Sequence, residues 1–332
     1  MKHEIDLKNV NIRTDLAVEL IEATPIEKDG IKITEIKLNS EQAKKIKKKK
    51  GNYITIEFDD ITDYDNKEKI KTIFIKELKK ILKIQKIEKD DLCLIIGLGN
   101  EKSTPDSLGP LTIEKTLVTN HLYLYKDLEE GYRRVCALSP GVMGETGIET
   151  SDLIKEIAET VKPNFIIVID ALAASSIERV NKTIQISDSG INPGSGVGNK
   201  RKEISEDTLN IPVIAVGVPT VVDAASIVND TIKYMYSHFA YQKENYNRPK
   251  NKLVHNVNYL KYGSKTIKIE DRKKLLGIIG SLDQEETKSL INEILNPIGY
   301  NMMVTPKEED FIIEKMSELI SEGLNSALHE KI

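Results

Sequence analysis

The sequence predicts an α/β fold built on a largely parallel central sheet flanked by helices. Three short, continuous apolar runs lead to this reading: 92–96, 165–169 and 213–216. Runs of that length read as strands buried on both faces, the pattern of a parallel sheet. The second observation is what lies between them, since amphipathic helical stretches alternate with the runs. The third is where each run stops: at Gly97, Asp170 and Gly217.

In chain order, residues 1–25 are polar and carry no strong period. Residues 31–38 and 53–58 alternate as strands do, with a lysine-rich connection between them. Over 66–85, Ile70, Ile73, Ile75, Leu78, Ile81 and Leu82 recur at helical spacing. The run 92–96 opens into a loop over 99–109, and a helix follows. A strand is predicted over 134–138 and a helix over 150–161, with Thr150 or Ser151 as its cap. The strand 165–169 leads to an alternating segment at 183–186, a glycine-rich loop over 187–202 and the strand 213–216. A long helix is expected over 223–239, a polar surface excursion over 241–266, and helices over 271–279, 283–295 and 307–328. No repeat and no clean linker marks the sequence, which points to one catalytic body with additions.

The chain has 332 residues, enough to bury a sizeable core without disulfides. A net charge of −4 gives no electrostatic case for nucleic acid across the whole surface. The lysine runs at 44–50 and 79–86 read as solvated faces. Cys93 and Cys136 form neither a CxxC nor a zinc spacing, and two buried thiols fit a reducing cytosol. No signal peptide and no apolar stretch of membrane-spanning length is visible, so an intracellular, membrane-free protein is expected.

In open α/β sheets ligands bind beyond the carboxyl ends of the strands. Three loops lie there: 97–109, the segment from Asp170, and 187–200. Gly97 and Gly99 resemble the start of a dinucleotide fingerprint, but position 102 is Lys102 where glycine is needed. Close backbone approach in a tight turn is the plainer reading. The loop carrying Gly194, Gly196, Lys200 and Arg201 lacks the phosphate-loop order. Asp106 and Asp170 each follow a buried strand. Burial raises a carboxyl pKa, and two carboxylates that meet share one proton, which suits acid–base work on a carbonyl. Helix capping by either aspartate is the alternative, and the residues alone leave both open. There is no GxSxG elbow and no HExxH motif, and none of His3, His121, His238, His255 and His329 falls in these loops.

Several strings together resemble the germination protease family of spore-forming bacteria. They are Ile12-Arg13-Thr14-Asp15-Leu16-Ala17-Val18-Glu19, Gly97-Leu98-Gly99-Asn100, Thr104-Pro105-Asp106-Ser107-Leu108-Gly109-Pro110, Pro140-Gly141-Val142-Met143-Gly144 and Gly147-Ile148-Glu149-Thr150-Ser151-Asp152. Ile169-Asp170-Ala171-Leu172-Ala173-Ala174, Ile184-Gln185-Ile186-Ser187-Asp188-Ser189-Gly190, Lys200-Arg201-Lys202-Glu203-Ile204-Ser205, Pro219-Thr220-Val221-Val222-Asp223-Ala224 and Met303-Val304-Thr305-Pro306-Lys307-Glu308 complete them.

The resemblance implies a twisted-sheet fold similar to hydrogenase maturation peptidases (phosphorylase/hydrolase-like). It implies an atypical aspartic endopeptidase that degrades small acid-soluble spore proteins, with Asp106 and Asp170 catalytic. It implies a homotetramer in the cytoplasm of the forespore or spore core, with no cofactor, no metal and no direct nucleic-acid binding. It also implies a self-cleaving zymogen: the string Thr14-Asp15-Leu16-Ala17-Val18-Glu19 is similar to the family's cleavage pattern, with Asp15 in place of glutamate and Val18 in place of Ser or Thr. The expected cut is Asp15–Leu16, leaving residues 1–15 as a prosegment and 16–332 as a single catalytic domain. Gly97, Gly99, Asn100, Gly194 and Gly196 are candidates to hold an oxyanion, and Lys200 or Arg201 to pair with the acidic residue before the cut. Two other readings are a metal-dependent peptidase using the same carboxylates, and a non-catalytic module binding nucleotide or the DNA-coating spore proteins.

Overall fold

The computed structural model describes residues 14–194, 201–247, 267–295 and 302–332. They fall into two compact units. The larger comprises Arg13–Ala174, Glu178–Val221 and Thr305–Ile332; the smaller holds Ser175–Ile177 and Val222–Val304, with Met1–Ile12 assigned to it outside the described residues. Among the described residues, the crossings after Ala174 and Val304 fall at strand ends, that after Val221 near the end of β8, and that after Ile177 within the 3-10 turn Ile177–Arg179.

The larger unit is the predicted α/β body, a central sheet flanked by helices. Its strands are β1 (Ile26–Lys28), β2 (Ile31–Leu38), β3 (Gly51–Glu57), β4 (Cys93–Gly97), β5 (Val135–Leu138), β6 (Phe165–Ala174), β7 (Thr183–Ser187) and β8 (Val213–Asp223, to Val221 in this unit). They lie in the order β1-β2-β3-β7-β8-β6-β4-β5. β4 pairs in parallel with both β5 and β6, through Cys93↔Val135 and Gly97↔Ile169.

Both faces of this half are covered, as its apolar runs require. Cys93, Ile95, Phe165, Ile167 and Ile169 share one core with the helices Tyr64–Ile84, Leu108–Glu114 and Glu309–Leu328. Leu94, Ile96, Ile166 and Val168 point the other way, against Ile154 and Ala158 of the helix Thr150–Val161. The side-chain period of two divides each run between the two layers.

The sheet is mixed, however, rather than largely parallel. β1, β2, β3, β7 and β8 pair antiparallel in succession. Asp29 and Gly30, both at positive φ (54° and 81°), make a two-residue turn between β1 and β2, and such a turn joins only antiparallel strands. The alternating patterns at 31–38 and 183–186 belong to this antiparallel half.

Two strands also outrun their expected ends. β6 continues through Asp170 to Ala174, and β8 through Gly217 to Asp223. Ala173 has a hydrogen-bonding partner that the local sequence cannot announce, the backbone of Asp15. Gly217 is paired with Gln185 of β7. The helix over 64–84 begins on Asp63, whose carboxylate accepts from the Asn66 amide at 2.9 Å. The helix Thr150–Val161 starts on Glu149 with no side-chain cap, so the capping expected of Thr150 or Ser151 is not made.

The smaller unit carries the helices Ala224–Asn245, Ile269–Leu276 and Gln284–Leu295 and a short strand, β9 (Met303–Val304). β9 pairs antiparallel with Val222 and Asp223. Asp223 caps the first helix through the Ala225 amide at 2.8 Å. That helix runs to Asn245 and buries Tyr241, so the excursion expected over 241–266 starts later; its residues 248–266 lie outside the described residues. Among the described residues no helix is long and apolar enough to cross a membrane.

Candidate active site

The larger unit brings Asp106 and Asp170 together at the carboxyl end of its parallel strands. The register Gly97↔Ile169 sets Leu98, just past the end of β4, level with Asp170 inside β6. The amide of Leu98 donates to the Ile169 carbonyl at 2.8 Å, which ties the loop following β4 to β6 just before Asp170. Asp106 ends the 3-10 turn Thr104–Asp106, and that turn packs against β6. The turn is anchored from β8 as well: the Thr220 hydroxyl donates to the Pro105 carbonyl at 2.6 Å.

Glycine makes the approach possible. Gly99 sits at φ +117°, and a Cβ there would lie 1.9 Å from the Asp106 carbonyl oxygen. That carbonyl accepts from the Asn100 amide at 3.0 Å, closing the loop. Gly97 and Gly109 meet in the same way, backbone on backbone. The tight-turn reading of these glycines is therefore the one the geometry supports. Gly99→Ala is expected to destabilise the protein by about 1–3 kcal/mol and to displace Asp106. Urea unfolding with a parallel cleavage assay checks it, and an unchanged midpoint and rate would contradict this role.

Neither aspartate caps a helix. Ser107 is the N-cap of Leu108–Glu114, and no side chain bonds that terminus. Asp170 lies inside β6, which continues through Ala174. Asp170 is only 5% exposed. Burial pushes its carboxyl well above the usual range, the neighbouring charges of Asp106 and Asp15 push it further, and the Ala171 amide opposes them. Asp106 is half-buried. Burial raises its carboxyl to about 6, against a hydrogen bond from the Asn100 backbone. Two carboxyls whose proton affinities are both raised, one on β6 and one in the turn after β4, form an arrangement suited to acid–base catalysis.

The third charge at Asp170 belongs to the chain's own N-terminal stretch. The Asp15 amide donates to the Ala173 carbonyl at 2.9 Å, and the Ala173 amide donates back to Asp15 Oδ2 at 2.9 Å. Gln185 on β7 reads the same backbone twice: its Nε2 donates to the Asp15 carbonyl at 3.2 Å, and its Oε1 accepts from the Ala17 amide at 2.8 Å. Lys48 Nζ donates to the Thr14 carbonyl at 3.0 Å, and the Leu16 amide donates to Thr14 Oγ1 at 3.0 Å. Leu16 and Ala17 are fully buried. Burial lowers the Lys48 pKa, while Asp15 and Glu19 raise it. The stretch thus lies in a fitted seat on β6 and β7, with Asp15 close enough to Asp170 for its charge to be felt there.

Lys48 corrects the reading of the 44–50 run as a plain solvated face. Lys49 departs from it as well, with Nζ 2.5 Å from Glu203 and 2.6 Å from Asp207. Gln185 takes an ordinary polar place in the alternation of β7, Thr183-Ile184-Gln185-Ile186-Ser187, so nothing local marks it as part of the site.

The other predicted site residues fare unevenly. The amide of Asn100 is engaged by the Asp106 carbonyl, and Gly97 is packed into its strand, so neither stands open for an oxyanion. Gly194 closes a turn at φ +69°, while Gly196 and Lys200 lie outside the described residues. Arg201 is directed to Glu149, with Nη1 3.7 Å from its carboxylate and 2.6 Å from Met143 Sδ. Among the described residues no three histidine, cysteine, aspartate or glutamate side chains stand together as a metal site.

Comparison with known proteins places the whole chain. A family model described as germination protease matches residues 3–332. Proteins named germination protease from Geobacillus sp. (strain WCH70), Bacillus subtilis (strain 168) and Bacillus licheniformis are 49%, 48% and 50% identical, each match spanning 100% of this chain and 97% of the relative. Among solved structures, a NiFe hydrogenase maturation protease from Thermococcus kodakarensis overlaps 43% of this chain and 79% of its own, at 18% identity and a TM-score of 0.28. That likeness is too slight to carry an argument, so the α/β assignment rests on the sheet itself.

Proposed function

The chain belongs to the germination protease family and is an endopeptidase, and from that premise we propose that it is a spore protease made as a self-cleaving zymogen. Its substrates are the small acid-soluble spore proteins, its catalytic pair is Asp106 and Asp170, and its own maturation cut is Asp15–Leu16. Residues 1–15 are the prosegment, and 16–332 form the catalytic domain of a homotetramer in the spore core.

One observation carries this reading. The stretch predicted to be cut is hydrogen-bonded to Ala173 and Gln185 and buried beside Asp170, as a bound substrate strand would be.

Hydrolysis divides between the two carboxyls. Asp170, deeply buried, holds the shared proton and donates a hydrogen bond to the scissile carbonyl oxygen. Asp106, more open, is ionised and takes a proton from water as the water oxygen adds to the carbonyl carbon. The tetrahedral carbon then expels the amine, which leaves with a proton from the pair, and the C–N bond breaks. The pair titrates as a unit, so this division describes the dominant form at neutral pH.

Digestion of a small acid-soluble spore protein by the purified protein tests the function. Cuts after an acidic residue are expected by mass spectrometry; an undigested substrate after the zymogen has matured would overturn it. Chelation separates the metal reading. Activity is expected to survive extensive treatment with a chelator, and a loss restored by a divalent cation would favour metal-dependent hydrolysis instead.

A further inference from the structure

The turn that carries Asp106 satisfies three of the carbonyls of residues 103–106 within its own loop. The Ser103 carbonyl accepts from the Asp106 amide at 2.7 Å, and the Asp106 carbonyl from the Asn100 amide at 3.0 Å. The Thr104 carbonyl accepts from Ser107, from its amide at 3.2 Å and its hydroxyl at 2.8 Å. The Pro105 carbonyl is met from outside, by the Thr220 hydroxyl at 2.6 Å. Thr220 stands on β8, the neighbour of β6 in the sheet, so this bond ties the Asp106 turn to the strand next to the one that bears Asp170. Thr220 is buried in a strand that is otherwise rich in valine. A hydroxyl is costly there unless it makes a hydrogen bond, and valine would fill the same shape without one. The backbone around Thr220 is itself bracketed. The Thr305 hydroxyl donates to the Thr220 carbonyl at 3.0 Å, and the Asn181 amide donates to the Pro219 carbonyl at 2.7 Å. Asn181 in turn donates from Nδ2 to the buried Glu309, at the start of the helix Glu309–Leu328, and that helix packs against the Asp106 turn.

We propose that Thr220 is a positioning residue for the reaction: through the Pro105 carbonyl its hydroxyl holds Asp106 where it can share a proton with Asp170, and Thr305 and Asn181 hold Thr220 in place. Thr220 touches neither the water nor the scissile bond. It acts through Asp106, whose turn has no other strand-borne side chain fixing Pro105 among the described residues. The inference rests on the reading of Asp106 and Asp170 as the catalytic pair.

Steady-state kinetics across pH test it, on a peptide containing Thr-Asp-Leu-Ala-Val-Glu, with matured wild type, Thr220→Val, Thr220→Ser and Thr305→Val. Thr220→Val is expected to lose about 10²-fold in kcat with KM within about twofold of wild type. Thr220→Ser keeps the hydroxyl and is expected to recover most of that loss. The pH profile separates positioning from folding. The charge of Asp106 helps Asp170 to keep its proton, so with Asp106 displaced the alkaline limb of kcat is expected at lower pH. A partly unfolded variant loses rate and leaves that limb in place. Wild-type kcat in Thr220→Val, a slow Thr220→Val whose alkaline limb has not moved, or a Thr220→Ser as slow as Thr220→Val would overturn the proposal. Should Thr220→Val fail to fold, Thr305→Val decides, because Thr305 is only half-buried. About a tenfold loss in kcat with the same shift of the limb is then expected, and wild-type kinetics would overturn it. Failure of the underlying reading looks different, because then Asp106→Asn itself keeps wild-type activity.

Discussion

Asp170→Asn is expected to lower peptide cleavage by about 10³–10⁴-fold with little change in KM, and Asp106→Asn to do the same. The expectation follows from what each replacement removes. Asparagine at 170 keeps the volume and a hydrogen-bond donor but loses the ability to share a proton with Asp106. In the proposed mechanism, asparagine at 106 would leave no base for the water. Both side chains sit on backbone fixed by other contacts, the Leu98–Ile169 and Asn100–Asp106 hydrogen bonds, so the substitutions alter chemistry before they alter shape. The two changes act on one proton, so the double variant is expected to be scarcely slower than either single one. Steady-state kinetics on a peptide containing Thr-Asp-Leu-Ala-Val-Glu decides the matter. A single variant retaining a tenth or so of wild-type kcat would remove its aspartate from the mechanism.

The same substitutions are expected to stabilise the fold at neutral pH. Asp106 has an ordinary carboxyl value of 3.8 and is raised to about 6 in the folded protein. A group raised on folding binds more protons in the native state than in the unfolded one across that interval. Stability from this group is therefore fully present below the ordinary value and is lost as pH rises through about 6. Asp170 acts in the same direction, its proton affinity raised by burial first and by Asp106 and Asp15 next. Asp106→Asn and Asp170→Asn should accordingly melt about 3 °C above wild type near neutral pH, with the Asp106→Asn difference shrinking toward zero in mild acid. Thermal melts across that range check it. Variants less stable than wild type at neutral pH, or a difference for Asp106→Asn that ignores pH, would mean that the carboxylates are satisfied structural groups. Strain of this kind belongs to a site kept for chemistry, since a fold under no other demand would replace both residues.

How much of this was legible in the sequence differs from residue to residue. The parallel half of the sheet was readable because 92–96 and 165–169 are apolar without a break, which only burial on both faces explains. The close packing around Gly97 and Gly99 was readable too, because glycine in both places after a strand implies backbone approach. The antiparallel half was not, since a strand alternating in polarity says nothing about which neighbour it takes. The seat for 14–19 was invisible for a related reason. Gln185 meets Ala17 across 168 residues of chain, and no local pattern reports such a distance. Lys48 was hidden by its company, one lysine among many whose side chain alone turns to the Thr14 carbonyl. Arg179 stood outside every motif, and its place between Glu19 and Glu57 is set by the fold rather than by any local pattern.

The central claim is that the chain's own 14–19 stretch is cut by the Asp106–Asp170 pair. The most direct measurement is the intact mass and N-terminal sequence of the purified full-length protein after incubation at falling pH, run beside Asp106→Asn. Wild type is predicted to yield a single new N-terminus at Leu16, and Asp106→Asn to remain whole throughout. A Leu16 fragment from Asp106→Asn, or a wild-type cut far from the Asp15–Leu16 bond, would contradict it.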